Sequence, residues 1–227
     1  MGISLYIHIP FCRAKCAYCD FASVAGRADL FAPYVAAVCA EMRRRPGLHT
    51  DAPIRAETLY IGGGTPNVLP ISSLLCLLET VHEVYAPPAG AEITVEVNPG
   101  ATDAASLRAL RAAGVNRLSI GVQSFADAEL RLLGRIHDRR QALATIAAAR
   151  AAGFDNINLD LIFGLPAQSR RAWEASLRVA LAQEPAHLSL YALTLDEHTP
   201  LAQRIARGEL PPLDEDAAAD MYWRAEE

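Results

Sequence analysis

Cys12, Cys16 and Cys19 fall within eight residues of one another in the stretch HIPFCRAKCAYCDF (residues 8–21), spaced Cys-x3-Cys-x2-Cys. Thiolates bind soft or borderline metals, so zinc and iron–sulfur clusters are the candidates. Structural zinc takes four protein ligands. The only nearby imidazole is His8, which belongs to a predicted strand and is expected to point into the cavity. A cubane cluster has four irons, so three cysteines leave one iron open to a small molecule. The bland reading, three buried apolar thiols, gives no reason for the spacing. Cys39 and Cys76 lie in helical patterns and read as core residues.

The elements that must position these thiols alternate in type. β-type runs occur at 3–9, 57–62, 92–98, 116–123, 156–163 and 187–193. Helical patterns fill 30–45, 70–85, 103–113, 127–152 (broken near Gly134) and 169–183. Strand–helix alternation repeated six times predicts right-handed βαβ units around a parallel sheet. The cysteine loop, 10–21, then follows the first strand at its C-terminal end, where parallel α/β folds carry their sites.

A parallel sheet covered on both faces shows near-continuous apolar runs. These strands alternate instead. One face carries Leu5, Ile7, Leu59, Ile61, Val95, Val97, Leu118, Ile120, Leu159, Leu161, Leu188 and Leu190. The other carries Tyr6, His8, Tyr60, Gly62, Thr94, Glu96, Asn98, Arg117, Ser119, Gly121, Gln123, Asn156, Asn158, Asp160, His187, Ser189 and Tyr191. Unpaired buried polar groups cost a few kcal/mol each, so the polar face must line a hydrated or ligand-filled space. Six strands are too few for a closed eight-stranded barrel. The expected fold is an α/β open partial (β/α)6 barrel with helices outside. An ordinary doubly wound sheet with mutually bonded polar positions is the alternative.

Composition narrows the function classes. The chain has 227 residues, is 52% hydrophobic and carries a net charge of -5. It has no basic field to attract nucleic acid, no apolar run long enough to span a membrane, and no signal-peptide pattern at residues 1–10. An odd number of cysteines, three of them bunched, argues against a disulfide framework and for a reduced compartment. The cytoplasm is the expected location. His49 and His82 are expected at the surface, His187 is expected either to line the cavity or to be a satisfied structural histidine, and the arginines at 43–45 read as a solvated helix end.

Cys12-x3-Cys16-x2-Cys19, with the aromatic Tyr18 before the third cysteine, resembles the signature of the radical S-adenosylmethionine (SAM) enzymes. In that family SAM chelates the open iron through its amino and carboxylate groups. An electron from the reduced cluster cleaves the sulfonium C–S bond and yields a 5'-deoxyadenosyl radical. YIGGGTP (60–66), EVNP (96–99), GVQSF (121–125), LGRIHD (133–138), NLDLIFGLPAQ (158–168) and HLSLYALTLDEHTP (187–200) are similar to the coproporphyrinogen dehydrogenase branch. The resemblance implies a [4Fe-4S] cluster on the three cysteines. It implies SAM contacts from Gly63, Gly64 and Thr65 in the glycine-rich turn, and from Tyr6, Tyr18, Glu96, Gln123 and Asp160. Arg135, expected in the following helix, is implicated by resemblance alone, whereas Tyr6, Glu96, Gln123 and Asp160 also share the polar face.

That branch holds oxygen-independent coproporphyrinogen III dehydrogenases and radical SAM heme chaperones. The dehydrogenase kind has a further cysteine two residues after the third; here that position is Phe21. The resemblance therefore implies a chaperone that binds heme or porphyrin and passes heme to an acceptor protein. An electron donor would reduce the cluster, and any membrane association would be through a partner. The alternatives are the dehydrogenase and a structural zinc protein. The barrel domain is expected over 1–195. Residues 196–227 read as a linker and the start of a truncated C-terminal domain that adds little to the core.

Overall fold

Residues 2–45 and 54–227 are described by the computed structural model; His49 lies outside them. The strands are β1 (Gly2–Ile9), β2 (Phe11–Cys12), β3 (Val24–Ala25), β4 (Arg55–Gly63), β5 (Glu92–Val97), β6 (Arg117–Gln123), β7 (Asn156–Phe163) and β8 (His187–Ala192). The helices are α1 (Phe31–Arg44), α2 (Ile71–Tyr85), α3 (Ala104–Ala112), α4 (Asp127–Leu132), α5 (Arg139–Ala151), α6 (Arg170–Leu181), α7 (Pro200–Ala206) and α8 (Glu215–Glu226). β2 and β3 form a small separate pair.

The six long strands lie side by side in chain order, β1-β4-β5-β6-β7-β8, and all pair in parallel. A doubly wound sheet reverses its strand order at a switch point. This sheet never reverses, so each right-handed crossover leaves its helix on the same face. β1 and β8 do not pair with each other. The sheet is thus an open partial barrel, as the alternation predicts.

Register keeps the two faces apart. Leu5 pairs with Leu59, Ile61 with Val95, Val95 with Leu118 and Ile120 with Leu159. This row is nearly inaccessible to water from Leu59 onward and meets Leu77, Leu78, Leu107, Leu110, Ile146 and Trp173 of the helices in one core. On the other face Tyr6 pairs with Tyr60, Tyr60 with Thr94, Glu96 with Ser119 and Ser119 with Asn158.

Helix starts follow capping chemistry. Asp103, Ser169, Thr199 and Asp214 each accept a bond from the backbone N–H three residues on, and Asp138 with Gln141 forms a capping box before α5.

Four expectations need correction. The break at Gly134 is present, at φ +70°, but Arg135 lies in the connection between α4 and α5 and not in a helix. Cys76 is exposed, because α2 turns Leu74, Leu77, Leu78 and Val81 inward instead. His187 is exposed and is not among the residues lining the site cavity. Residues 196–227 add to the core: Met221 and Leu201 are buried, and the indole N–H of Trp173 donates to the Met221 carbonyl at 2.9 Å. Their apolar positions are too sparse to announce this in sequence. His82 is exposed as expected, and Arg43 and Arg45 form exposed ion pairs with Glu83 and Glu41.

Candidate functional site

The polar face, the cysteine loop and the glycine-rich turn enclose one cavity of about 460 Å³. Its lining includes Cys12, Cys16, Tyr18, Cys19, Gly63, Gly64, Thr65, Glu96, Gln123, Arg135 and Asp160. Eleven of the twelve residues singled out in sequence are therefore brought together. Tyr6 is on the same face but outside the lining. It stacks on Tyr60 with ring centroids 6.0 Å apart, and its hydroxyl lies 3.1 Å from His8 Nδ1.

The loop is held at several points. Val24 N–H donates to Pro10 C=O at 2.8 Å, and the β2–β3 pair closes the neck. Lys15 Nζ donates to the Phe21 carbonyl at 3.1 Å. His8 Nε2 lies 2.9 Å from the Ala22 carbonyl, so this imidazole faces the loop's exit and, against expectation, is not among the residues lining the cavity. Mid-loop, Ala17 N–H donates to Leu133 C=O at 2.9 Å, and Ala17 C=O accepts from Leu201 N–H at 2.8 Å. The tail residue Leu201 thus anchors the loop, packed with Leu133, Ile162, Leu165 and Leu193.

The glycines permit a close approach. Gly63 has φ +120°, and a Cβ there would come 2.7 Å from His8 Nδ1. A Cβ on Gly64 would come 2.7 Å from the Phe11 carbonyl and 2.9 Å from Cys12 Sγ. Neither contact is tolerable, so only glycine lets the turn sit against the first cysteine.

Two half-buried carboxylates face the cavity. Glu96 accepts from Tyr60 Oη at 2.8 Å and from Gly63 N–H at 3.0 Å. Asp160 accepts from Ser119 Oγ at 3.1 Å and Asn158 Nδ2 at 2.7 Å. Burial pushes both carboxyls above their ordinary range, against the pull of these donors. Burial likewise raises the Tyr18 phenol, and the Arg135 charge partly opposes it.

Gln123 reaches the cavity in a way that alternation does not foresee. The β6–β7 register slips after Gly121, pairing Gln123 with Leu161 of the apolar row. The left-handed backbone at Gln123, φ +67°, ends the strand there.

The sequence reading did not single out Asn98, which the structure places at the centre of the polar network. Asn98 Nδ2 donates to Thr65 Oγ1 at 2.8 Å, and its Oδ1 accepts from Arg135 Nη2. Thr65 Oγ1 donates to Cys12 Sγ at 3.5 Å and Arg135 Nη1 to Cys16 Sγ at 3.4 Å. Its place on the polar face beside Glu96 and within EVNP (96–99) was the available signal. The buried Nε of Arg135 has no partner.

Among the described residues, no three His, Cys, Asp or Glu side chains converge as ligands of a single metal ion. Three thiolates on three separate irons of a cubane need no such convergence. Thiols on one rim, a glycine cradle beside them, buried acceptors and an unsatisfied guanidinium N–H fit a cluster with a small polar cofactor at its open side.

This fold and site define a class: the Radical SAM superfamily, whose family description matches residues 6–180. The chain belongs to that superfamily, which implies a [4Fe-4S] cluster and SAM as its cofactors. It is 39% identical over its whole length to the heme chaperone HemW of Synechocystis sp., covering 56% of that protein. It is 40% identical over 96% of its length to the mouse radical S-adenosyl methionine domain-containing protein 1, mitochondrial, covering 49% of it. Among solved structures, coproporphyrinogen III oxidase (HemN) from Escherichia coli, described as a radical SAM enzyme, superposes with a TM-score of 0.87 at 31% identity, over 97% of this chain and 50% of that one. The chain spans about half the length of the curated relatives it matches.

Proposed function

We propose that this chain is the radical SAM part of a heme chaperone, holding a [4Fe-4S] cluster on Cys12, Cys16 and Cys19 and SAM in the adjoining cavity. One observation carries the chaperone reading: near-complete alignment of the chain with relatives named heme chaperone, at 36–39% identity in several bacteria. Phe21 supports it, since the dehydrogenase kind has a cysteine there; this ring is exposed at the cavity rim. The structural likeness to coproporphyrinogen III oxidase keeps radical decarboxylation of coproporphyrinogen as the alternative.

When bound, the cluster supplies an electron and SAM a cleavable sulfonium. The chain's residues bind and orient. Gly63 and Gly64 give backbone access beside Cys12. Glu96 and Asp160, prepositioned by their donors, offer acceptors for the ammonium and hydroxyl groups of SAM. Arg135 offers a cation for its carboxylate, and Gln123 a neutral amide. Tyr18 excludes water next to the thiols, and Tyr6 supports Glu96 from outside through Tyr60. Heme or a porphyrin, a heme-acceptor protein and an electron donor are the proposed partners. No helix among the described residues is long and apolar enough to cross a membrane. A cytoplasmic site, with membrane contact only through a partner, fits the reduced thiols.

The test uses anaerobically reconstituted protein carrying about four irons per chain. Heme addition should shift the Soret band, most strongly when the C-terminal half of a full-length relative is appended. Propionate decarboxylation of coproporphyrinogen III with SAM and reductant should stay at background. Clear turnover, with no heme spectrum in either form, would reverse the assignment.

A further inference from the structure

We infer that Asn98 is a positioning residue for the cluster, holding two side-chain donors on two different cluster thiolates and thereby setting the ease of cluster reduction. The inference rests on the cluster reading above. A continuous path runs Cys12 Sγ, Thr65 Oγ1, Asn98, Arg135, Cys16 Sγ. The Asn98 side-chain amide is its centre and uses both ends: the NH2 group feeds Thr65 and the oxygen receives Arg135. Thr65 has one hydroxyl proton. Because Oγ1 already accepts from Asn98, that proton is directed at Cys12 Sγ. Arg135 Nη2 is shared between Asn98 Oδ1 and the Gly121 carbonyl at 2.8 Å, which aims Nη1 at Cys16 Sγ.

Asn98 itself is fixed. The side chain of Asn67 donates to its carbonyl at 3.0 Å and accepts from its N–H at 2.9 Å. Asn67 and Thr65 are both buried. The residue therefore spends its backbone on being held and its side chain on holding.

Reduction adds a negative charge to the cluster. Donors onto its cysteine sulfurs stabilise that charge, so hydrogen bonds to sulfur raise the potential. Removing the amide of Asn98 frees the Thr65 proton to turn away and lets Arg135 swing. Both thiolates lose their donors from a single substitution, although Asn98 touches neither.

The test is potentiometric titration, without SAM, of reconstituted wild type, Asn98→Ala, Thr65→Val and Thr65→Ser, with thermal unfolding of each apoprotein alongside. Asn98→Ala should shift the reduction equilibrium about tenfold toward the oxidised form, about 59 mV more negative for a one-electron couple. Thr65→Val should shift it the same way by less, and Thr65→Ser should stay at the wild-type value. The Asn98→Ala/Thr65→Val double variant should fall short of the sum, as members of one network do. A lowered unfolding temperature with an unchanged potential would reduce Asn98 to a structural residue and overturn the inference. If Asn98→Ala does not take up a cluster, the Thr65 pair decides: equal potentials for Val and Ser overturn it too. A wild type that assembles no cluster defeats the cluster reading itself, which is a distinct failure.

Discussion

The two faces of one sheet serve opposite ends. Outward, Leu59, Ile61, Val95, Leu118 and Ile120 pair with apolar partners across strands and vanish under the helices. Inward, the neighbouring positions Tyr60, Glu96, Ser119, Asn158 and Asp160 bond mainly to each other. The outer face gains stability from every buried methylene. The inner face gives some of it up, keeping two half-buried carboxyls whose pKa values desolvation displaces upward. Residues one step apart thus separate folding from binding, and substitutions on the two faces should fail differently.

The largest contrast is all-or-none. Cys16→Ala should abolish cluster assembly while leaving the apoprotein's unfolding temperature within error, because Cys16 is only partly buried and lies in the loop. Cys39→Ala and Cys76→Ala should leave the iron content intact. Iron analysis and the visible spectrum read this directly. A full iron complement in Cys16→Ala would break the assignment of that rim as the site.

Leu118→Ala should do the reverse. Its side chain is fully buried between Val95 and Ile157, so truncation should cost about 2–5 kcal/mol in urea unfolding. Any protein that remains folded should still take up a cluster. Loss of cluster in folded protein would show that the two faces are less separable than their register suggests.

Next in size is an acid effect near the site. His137 is buried, and its Nε2–H donates to the Val122 carbonyl while Nδ1 has no partner. Burial foremost, with the Arg135 charge second, lowers its pKa to about 4. Between that value and the unfolded value near 6.5, the unfolded chain binds the extra proton and the native chain does not. Stability therefore falls as pH drops from 6.5 toward 4, by about 3 kcal/mol in all. His137→Gln should flatten this part of the stability profile. An unchanged slope in the variant would assign the acid loss to other groups.

Much of this was legible in the strand alternation. It located Glu96 and Asp160 on the inner face, and the strand–helix count foretold the partial barrel. What stayed hidden depends on contacts distant in sequence. The Ala17–Leu201 bond joins the cysteine loop to a tail whose apolar residues are too few to show a helical stripe. Arg135 was misplaced because a glycine inside a helical pattern is tolerated at about 1 kcal/mol. Here Gly134 turns left-handed and sits 3.0 Å, by its would-be Cβ, from the Ala17 backbone nitrogen. Gln123 shows alternation choosing the right residue for the wrong reason, since the register slips just before it.

The smallest effect bears most directly on the division between the faces. Asp160 is held by Ser119 and Asn158, yet burial still raises its pKa. Its charge is thus a net cost to the empty fold at neutral pH. Asp160→Asn removes the charge and keeps the shape, and the Ser119 hydroxyl can rotate to serve the amide. The apoprotein variant should be more stable at pH 7 by roughly 0.5–2 kcal/mol. The sign follows from the raised pKa: the native state holds its proton more tightly than the unfolded chain, so ionisation at higher pH costs stability. The gain should shrink as pH falls toward 4 and the wild-type carboxyl becomes protonated in both states. SAM binding to the cluster-loaded variant should weaken by about 1–3 kcal/mol, the cost of one charge-assisted bond. Calorimetry on apoprotein and loaded protein reads both numbers. Opposite signs for folding and binding are expected if this face trades stability for the cofactor. A variant that loses stability and keeps its affinity would make Asp160 a structural group and move the boundary between the two faces inward.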